Sequence, residues 1–236
     1  MNTPSRKIGL PRPSIPMAER LVSDLKETLT PKVDAAPPGV PPAFPFKVLS
    51  LREPLLYRIV DLVEASIYLC KTDKGMGAAI LARAVLEATA LLFALAEMVE
   101  SVNAENLGDF ERRLNAMLLG SKNQTTPLVA VNILTQVQKM DKTFEGIEGY
   151  YGLLSELAHP NFAGVLNSYG RLSSVNFELI LGPRDKLKSI VREVVVPTLC
   201  YCLVASGRFS DRISAVLVKF CSIHLRADGK ASENSA

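Results

Sequence analysis

Histidine is scarce in this chain: only His159 and His224 occur among its 236 residues. Cysteine is little commoner, with Cys70, Cys200, Cys202 and Cys221, and no two of them are spaced as CxxC. Two histidines without such a pair do not complete a nitrogen–sulfur ligand set, so no metal site is expected. Each cysteine stands inside an apolar helical pattern, which suits free buried thiols in a reducing cytoplasm. GxxxxGK[ST], GxGxxG and HExxH are all missing, which removes the phosphate-loop, dinucleotide and zincin readings and leaves no cofactor expected. An excess of one charge is lacking too: the net charge is +3, too small to argue for DNA or an acidic membrane surface.

The amino-terminal residues are proline-rich and carry no apolar h-region, so no secretory signal is read there. Gly77 to Ala96 has the length of a membrane span, yet Arg83 and Glu87 stand inside it. A charge at the centre of a span costs roughly 2.5–3.5 kcal/mol on insertion scales, so a buried core helix is the better reading. Ile190 to Gly207 carries Arg192, Glu193 and Pro197 and is read the same way. A soluble protein without a membrane partner is expected. No internal repeat of solenoid period is present.

What is present is a globular composition, 48% hydrophobic and 22% charged, in a chain long enough to bury a core without staples. Ten of the fifteen prolines fall within residues 1–46. That range reads as a proline-rich segment with one short helix, Met17 to Leu29, closed by Pro31. Pro37 to Phe46 is expected to run extended as polyproline II. The main domain then spans 47–226, and 227–236 reads as a disordered tail.

Within the domain, Pro54 suits the first turn of a helix reaching about Cys70. Asp73 is the expected N-cap of the next helix, Lys74 to Val102, which is apolar nearly all round and so belongs at the centre. Further helices are expected over Glu105–Leu119, from Pro127 towards Lys142, and over Ile147–His159, the last ended by Pro160. Val175 to Leu181 reads as a strand or small hairpin. Two closing helices follow, Asp185–Ser206, kinked at Pro197, and Phe209–Arg226. The fold class expected is all-α: an antiparallel helical bundle around a buried central helix, with at most one short β-hairpin.

The chemistry on offer is sparse. Arg83 and Glu87, four apart, share a helix face. Their neighbours are apolar on every side, so the pair is expected to be at least partly desolvated and to need further hydrogen-bond partners. Tyr151, Ser155 and His159 share one stripe of a later helix, with Leu153, Leu154 and Leu157 on the core side. These five, Arg83, Glu87, Tyr151, Ser155 and His159, are the binding-site candidates, and His159, Arg83 and Glu87 are the candidates for catalysis. In the last helical turn the dipole favours protonated His159. Ser155, His159 and Glu156 formally offer a catalytic triad, but no nucleophile elbow or oxyanion hole accompanies them. His224, flanked by Lys219 and Arg226, suits the basic end of a last helix.

An Arg-x-x-x-Glu central helix, a helix ending Leu-Ser-Glu-Leu-Ala-His-Pro-Asn, a short strand region and closing helices together resemble uncharacterised prokaryotic HEPN-like proteins. The resemblance covers about residues 50–225 and rests on Arg83, Glu87, Tyr151, Ser155, Glu156, His159 and Pro160. It implies an antiparallel helical bundle, often a homodimer. Many members of that group cut RNA without metal, as toxins or phage-defence enzymes, through Arg-x(4–6)-His across a dimer cleft; others keep the bundle as a binding domain. Here Leu154, Leu153 and Gly152 stand five to seven residues before His159, and the match before His224 is Lys219. Lysine keeps the charge but loses the bidentate fork that suits a phosphate. The expected function is therefore a non-catalytic binding module for a partner protein, RNA or a small anion, with a metal-independent ribonuclease as the alternative.

Overall fold

The computed structural model describes residues 12–34, 43–103, 105–174 and 177–233; for Ala43 and residues 221–233 it describes the backbone alone. The architecture is an all-α bundle with one two-stranded hairpin among these residues. In chain order the elements are α1 (Ile15–Glu27), α2 (Ala43–Lys71), α3 (Gly75–Ser101), α4 (Leu107–Leu119), α5 (Ile133–Thr143) and α6 (Ile147–Ala158). They continue with α7 (Leu166–Tyr169), β1 (Gly170–Leu172), β2 (Leu179–Leu181), α8 (Lys186–Ile190), a π-helical turn (Val191–Val195) and α9 (Val196–Glu233).

Helix α3 is the hub, packing against α2, α9, α6 and α5. Ala78, Ala79, Ala82 and Ala90 are fully buried along it and let neighbours approach closely. Ser66 of α2 donates to the Ala78 carbonyl at 3.0 Å, and Thr89 donates to Val85 O while facing Ser206 of α9 at 3.4 Å. Phe93, Phe144, Tyr201 and Phe209 stack as an aromatic cluster where α3, the end of α5 and α9 meet. Burial of α3 is not all-round, however. Ile80 is exposed and Arg83, Ala84 and Glu87 are half-buried, a stripe at helical spacing. Both α3 and the stretch Lys186–Phe220 are long and apolar enough to cross a membrane, and most of each lies buried inside the bundle.

Several boundaries differ from the sequence expectation. Helix α2 begins at Ala43, so residues 43–46 are helical and Pro54 lies inside the helix; residues 37–42 of the expected polyproline segment lie outside the described residues. Asp73 does not cap α3. It adopts φ 58°, and the following Lys74 N–H donates back to Leu69 O at 2.9 Å, the left-handed stop of the preceding helix, a conformation that aspartate tolerates. Helix α5 starts at Ile133 rather than Pro127, where Asn132 accepts from Leu134 N and caps it. The two closing helices are joined: α9 runs through Ser206 and Gly207 to Glu233, so residues 227–233 continue a helix, while 234–236 lie outside the described residues. Pro197 acts one turn upstream. Lacking an N–H for the carbonyl four residues back, it is preceded by the π-turn Val191–Val195, in which Val196 N–H reaches Val191 O.

Helix α1 is part of the core. Ser14 caps it by accepting from Met17 N at 3.3 Å, and Met17, Ala18, Val22 and Leu25 are buried against α9 and α2. The strand expected over 175–181 is the second half of the hairpin. Gly170, Arg171 and Leu172 pair antiparallel with Leu181, Ile180 and Leu179; Val175 and Asn176 lie outside the described residues.

Candidate functional site

Three of the five candidate residues meet where α6 crosses the half-exposed stripe of α3. Arg83 Nη2 donates to the Tyr151 hydroxyl at 3.3 Å, and that hydroxyl donates to Glu87 Oε1 at 3.1 Å. Arg83 Nε stands 3.1 Å from the same carboxylate oxygen, although its N–H is not aimed at any acceptor. The guanidinium carbon also lies 5.3 Å from the centre of the Tyr151 ring, within cation–π range. The three side chains close a triangle. Tyr151 is the residue that makes it possible: its buried ring occupies the space between the helices, and its hydroxyl both accepts from the cation and donates to the anion.

Burial works against the charge on Arg83, but the Tyr151 hydrogen bond and the Glu87 carboxylate outweigh it and hold the guanidinium above its ordinary pKa. The pair is not sealed. Arg83 and Glu87 keep 27% and 30% of their side-chain surface exposed, so the pair is partly desolvated. Arg83 is thus charged and committed to partners within the fold.

Ser155 and His159 do not join the triangle. Ser155 Oγ is buried one turn after Tyr151 and has no hydrogen-bond partner. His159 is exposed: it forms the C-cap of α6, its N–H bonded to Ser155 O at 3.1 Å and its carbonyl accepting from Asn161 N at 2.8 Å. Eight residues along the helix put it about 12 Å beyond Tyr151. Glu156 is also exposed and accepts from Asn161 Nδ2 at 2.7 Å, so Ser155, Glu156 and His159 form no relay. The His224 side chain lies outside the described ones. Among the described residues, no three His, Cys, Asp or Glu side chains are grouped to hold a metal ion.

Two features escaped the sequence reading. The first is an ion pair between adjacent residues of α2. Arg52 Nε donates to Glu53 Oε1 at 2.6 Å and Arg52 Nη1 donates to Ser214 Oγ of α9, also at 2.6 Å. With only 14% and 4% of their side chains exposed, these two charges are buried more deeply than Arg83 and Glu87. Neighbouring positions do not normally face each other on a helix, so spacing gave no signal. Pro54 follows inside the same helix.

The second feature is an exposed apolar face on α7 and the hairpin. A Cβ at Gly170 would meet Leu166 Cδ1 at 2.7 Å and Leu179 Cδ1 at 3.2 Å, which places Leu166 and Leu179 on the same side of the sheet. Strand alternation adds Leu172 and Leu181 to that side. Phe162, in the turn before α7, is exposed as well. Leu166, Leu172, Leu179, Leu181 and Phe162 are 45–74% exposed. The leucines signalled a strand, but a short apolar strand reads as buried unless the layer above it is known.

Elsewhere, a cleft of about 610 Å³ at the start of α3 is lined by Lys74, Arg184 and Lys188 together with Asp73 and Asp185, a mixed set of three cations and two carboxylates. No protein-family model, curated protein or solved structure matches this chain.

Proposed function

We propose that this chain is a non-catalytic helical module, working in the cytoplasm, that binds a protein partner through the apolar face of α7 and the hairpin. The observation that supports this reading is the face itself: leucines gathered on one side of the hairpin beside Leu166 and largely exposed. Exposed apolar patches of this kind mark interaction surfaces rather than solvated ones. The polar triangle is better suited to holding α6 on α3 than to binding RNA or a small anion. Its one guanidinium already faces a carboxylate and a phenol, and a phosphate would have to displace Glu87. Retaining the HEPN-like resemblance, the reading corresponds to the members that keep the bundle without the nuclease motif.

The ribonuclease alternative needs a histidine poised for proton transfer beside a cation on the phosphate. His159 is exposed at the end of α6 and about 12 Å from the triangle. The test has two arms. Purified protein in chelator should cleave RNA no faster than the His159→Ala, His224→Ala double variant. A photo-crosslinking amino acid at Leu172, introduced in cells, should yield a protein adduct that survives ribonuclease treatment, whereas the same group at Glu148 should not. Robust cleavage lost on His159→Ala, or an adduct at Leu172 made of RNA alone, overturns the reading.

A further inference from the structure

We propose that the cleft at the start of α3 binds a phosphomonoester. The site is separate from the leucine face and does not depend on what that face binds.

The amino end of α3 is built open. Lys74 stands at the cap position, where a side-chain oxygen is normally found, and the first turn holds no acidic residue. Asp73, the nearest carboxylate in sequence, is taken up in the left-handed stop of α2. The first bond of the helix runs from Ala78 N–H to Lys74 O, and the N–H groups of Gly75, Met76 and Gly77 bond to no described residue. Gly75 is buried and the other two are half-buried. A buried amide without an acceptor is rare in a folded protein. Gly75 lines the cleft, and an acceptor for its N–H can come from there.

Cations gather at the same opening from a second wall. A Cβ at Gly75 would meet Val191 Cγ2 at 3.0 Å and Leu187 O at 3.2 Å, so the glycine lets α8 lie against the first turn of α3. Lys188 and Arg184 thereby share the cleft with Lys74. Lys188 lies 3.6 Å from Asp185, whereas Lys74 and Arg184 are ion-paired with no carboxylate among the described residues. Arg184 is held by neutral acceptors: its Nη1 donates to the carbonyl and Oδ1 of Asn167 at 3.2 and 3.4 Å. Its Nε and Nη2 have no partner among the described residues. Three cations against Asp73 and Asp185 leave positive charge in excess, and the end of the helix dipole adds about half a charge more.

The donors select the ligand. Three N–H groups in one helical turn suit an oxyanion, and a phosphomonoester brings three free oxygens and nearly two charges. A carboxylate brings two oxygens and one charge. At about 610 Å³ the cleft falls within the roughly 300–1,000 Å³ of pockets that hold whole small molecules, far more than a bare ion fills. Pro183, Leu187 and Val191 give it apolar surface for the rest of the ligand.

Amide NMR of the full chain at constant ionic strength tests the site, with inorganic phosphate and glycerol phosphate as probes. The Gly75, Met76 and Gly77 signals should shift and saturate with each, glycerol phosphate acting at the lower concentration. Lys74→Gln combined with Lys188→Gln should weaken binding about tenfold, while Lys122→Gln, in the exposed loop after α4, should leave it unchanged. Asp73→Asn should tighten binding, because asparagine keeps the left-handed turn and removes a repelling charge; a damaged fold would loosen it instead. Flotation with phosphatidic acid vesicles identifies the source of the phosphate. Protein that stays in solution while the amide shifts saturate takes it from a soluble molecule, and protein that floats only with both lysines intact takes it from a lipid headgroup. No saturable shift at the three amides, shifts that survive the double lysine variant, or weaker binding in Asp73→Asn overturns the proposal.

Discussion

Arg52–Glu53 and Arg83–Glu87 are the same chemical pair in two settings, and the settings decide what each is worth. Glu53 has only 4% of its side chain exposed, so removing Arg52 strands a carboxylate that water cannot reach. The expected loss for Arg52→Met is about 3–5 kcal/mol. Glu87 keeps 30% exposure and the Tyr151 hydroxyl as a donor, so Arg83→Ala should cost only about 1–2 kcal/mol. Urea titration of both variants checks the ranking, and an Arg83 variant as unstable as the Arg52 variant would contradict it. Tyr151→Phe is the finer probe. It leaves the ring over the guanidinium but removes the bond to each partner, and about 1 kcal/mol should go with the hydroxyl. Of these residues, the Arg83–Glu87 spacing and the Tyr151 stripe were legible in the sequence. Arg52–Glu53 was not, because only the tertiary approach of Ser214 from α9 makes a polar pocket at that point.

Among the elements, those with long, consistent apolar periods came through the sequence well: α3, α4 and α6 fall within two residues of expectation. The failures have separate causes. Pro54 and Pro197 read as a helix start and a kink, yet tertiary packing carries α2 across the first, and a widened turn absorbs the second. Gly207 and Ser206 look like a break, but Ser206 is buried against α3 and holds the helix on line. The π-turn carries a dynamic prediction. Interrupting the i→i−4 ladder, it should let the amides of residues 191–196 exchange with deuterium faster than those of 199–205, in the buried part of α9 that follows. Equal protection across both segments, measured by mass spectrometry, would show that the turn is no weaker than the helix around it.

For the molecule as a whole, the buried thiols set a limit at high pH. Burial raises Cys70 and Cys200 to about 11 and Cys202 to about 12, from an ordinary value of 9.0. Burial also raises Tyr201, whose hydroxyl lacks a hydrogen-bond partner. A group that holds its proton more tightly when folded contributes its full stability below the unfolded pKa and loses it as pH rises through the folded one. Under reducing conditions the melting temperature should be flat from about pH 7 to 9 and then fall through pH 11, and Cys200→Ala with Cys202→Ala should blunt that fall. A melting curve unchanged up to about pH 11 would refute the account. The arrangement of α3 between α2 and α9 has another bearing, on how the chain is made. When α3 leaves the ribosome only α2 is ready to cover it, and about 95 residues separate its end from the start of α9. At about 5–20 residues per second the most apolar helix of the protein waits roughly 5–20 s for α9, made after α5 and α6, to complete its packing. Helix α1, made earlier still, depends on α9 as well. The nascent chain is therefore a client for chaperones that shield apolar helices during synthesis, and a ribosome stalled before Val196 would present a sticky, unfinished bundle.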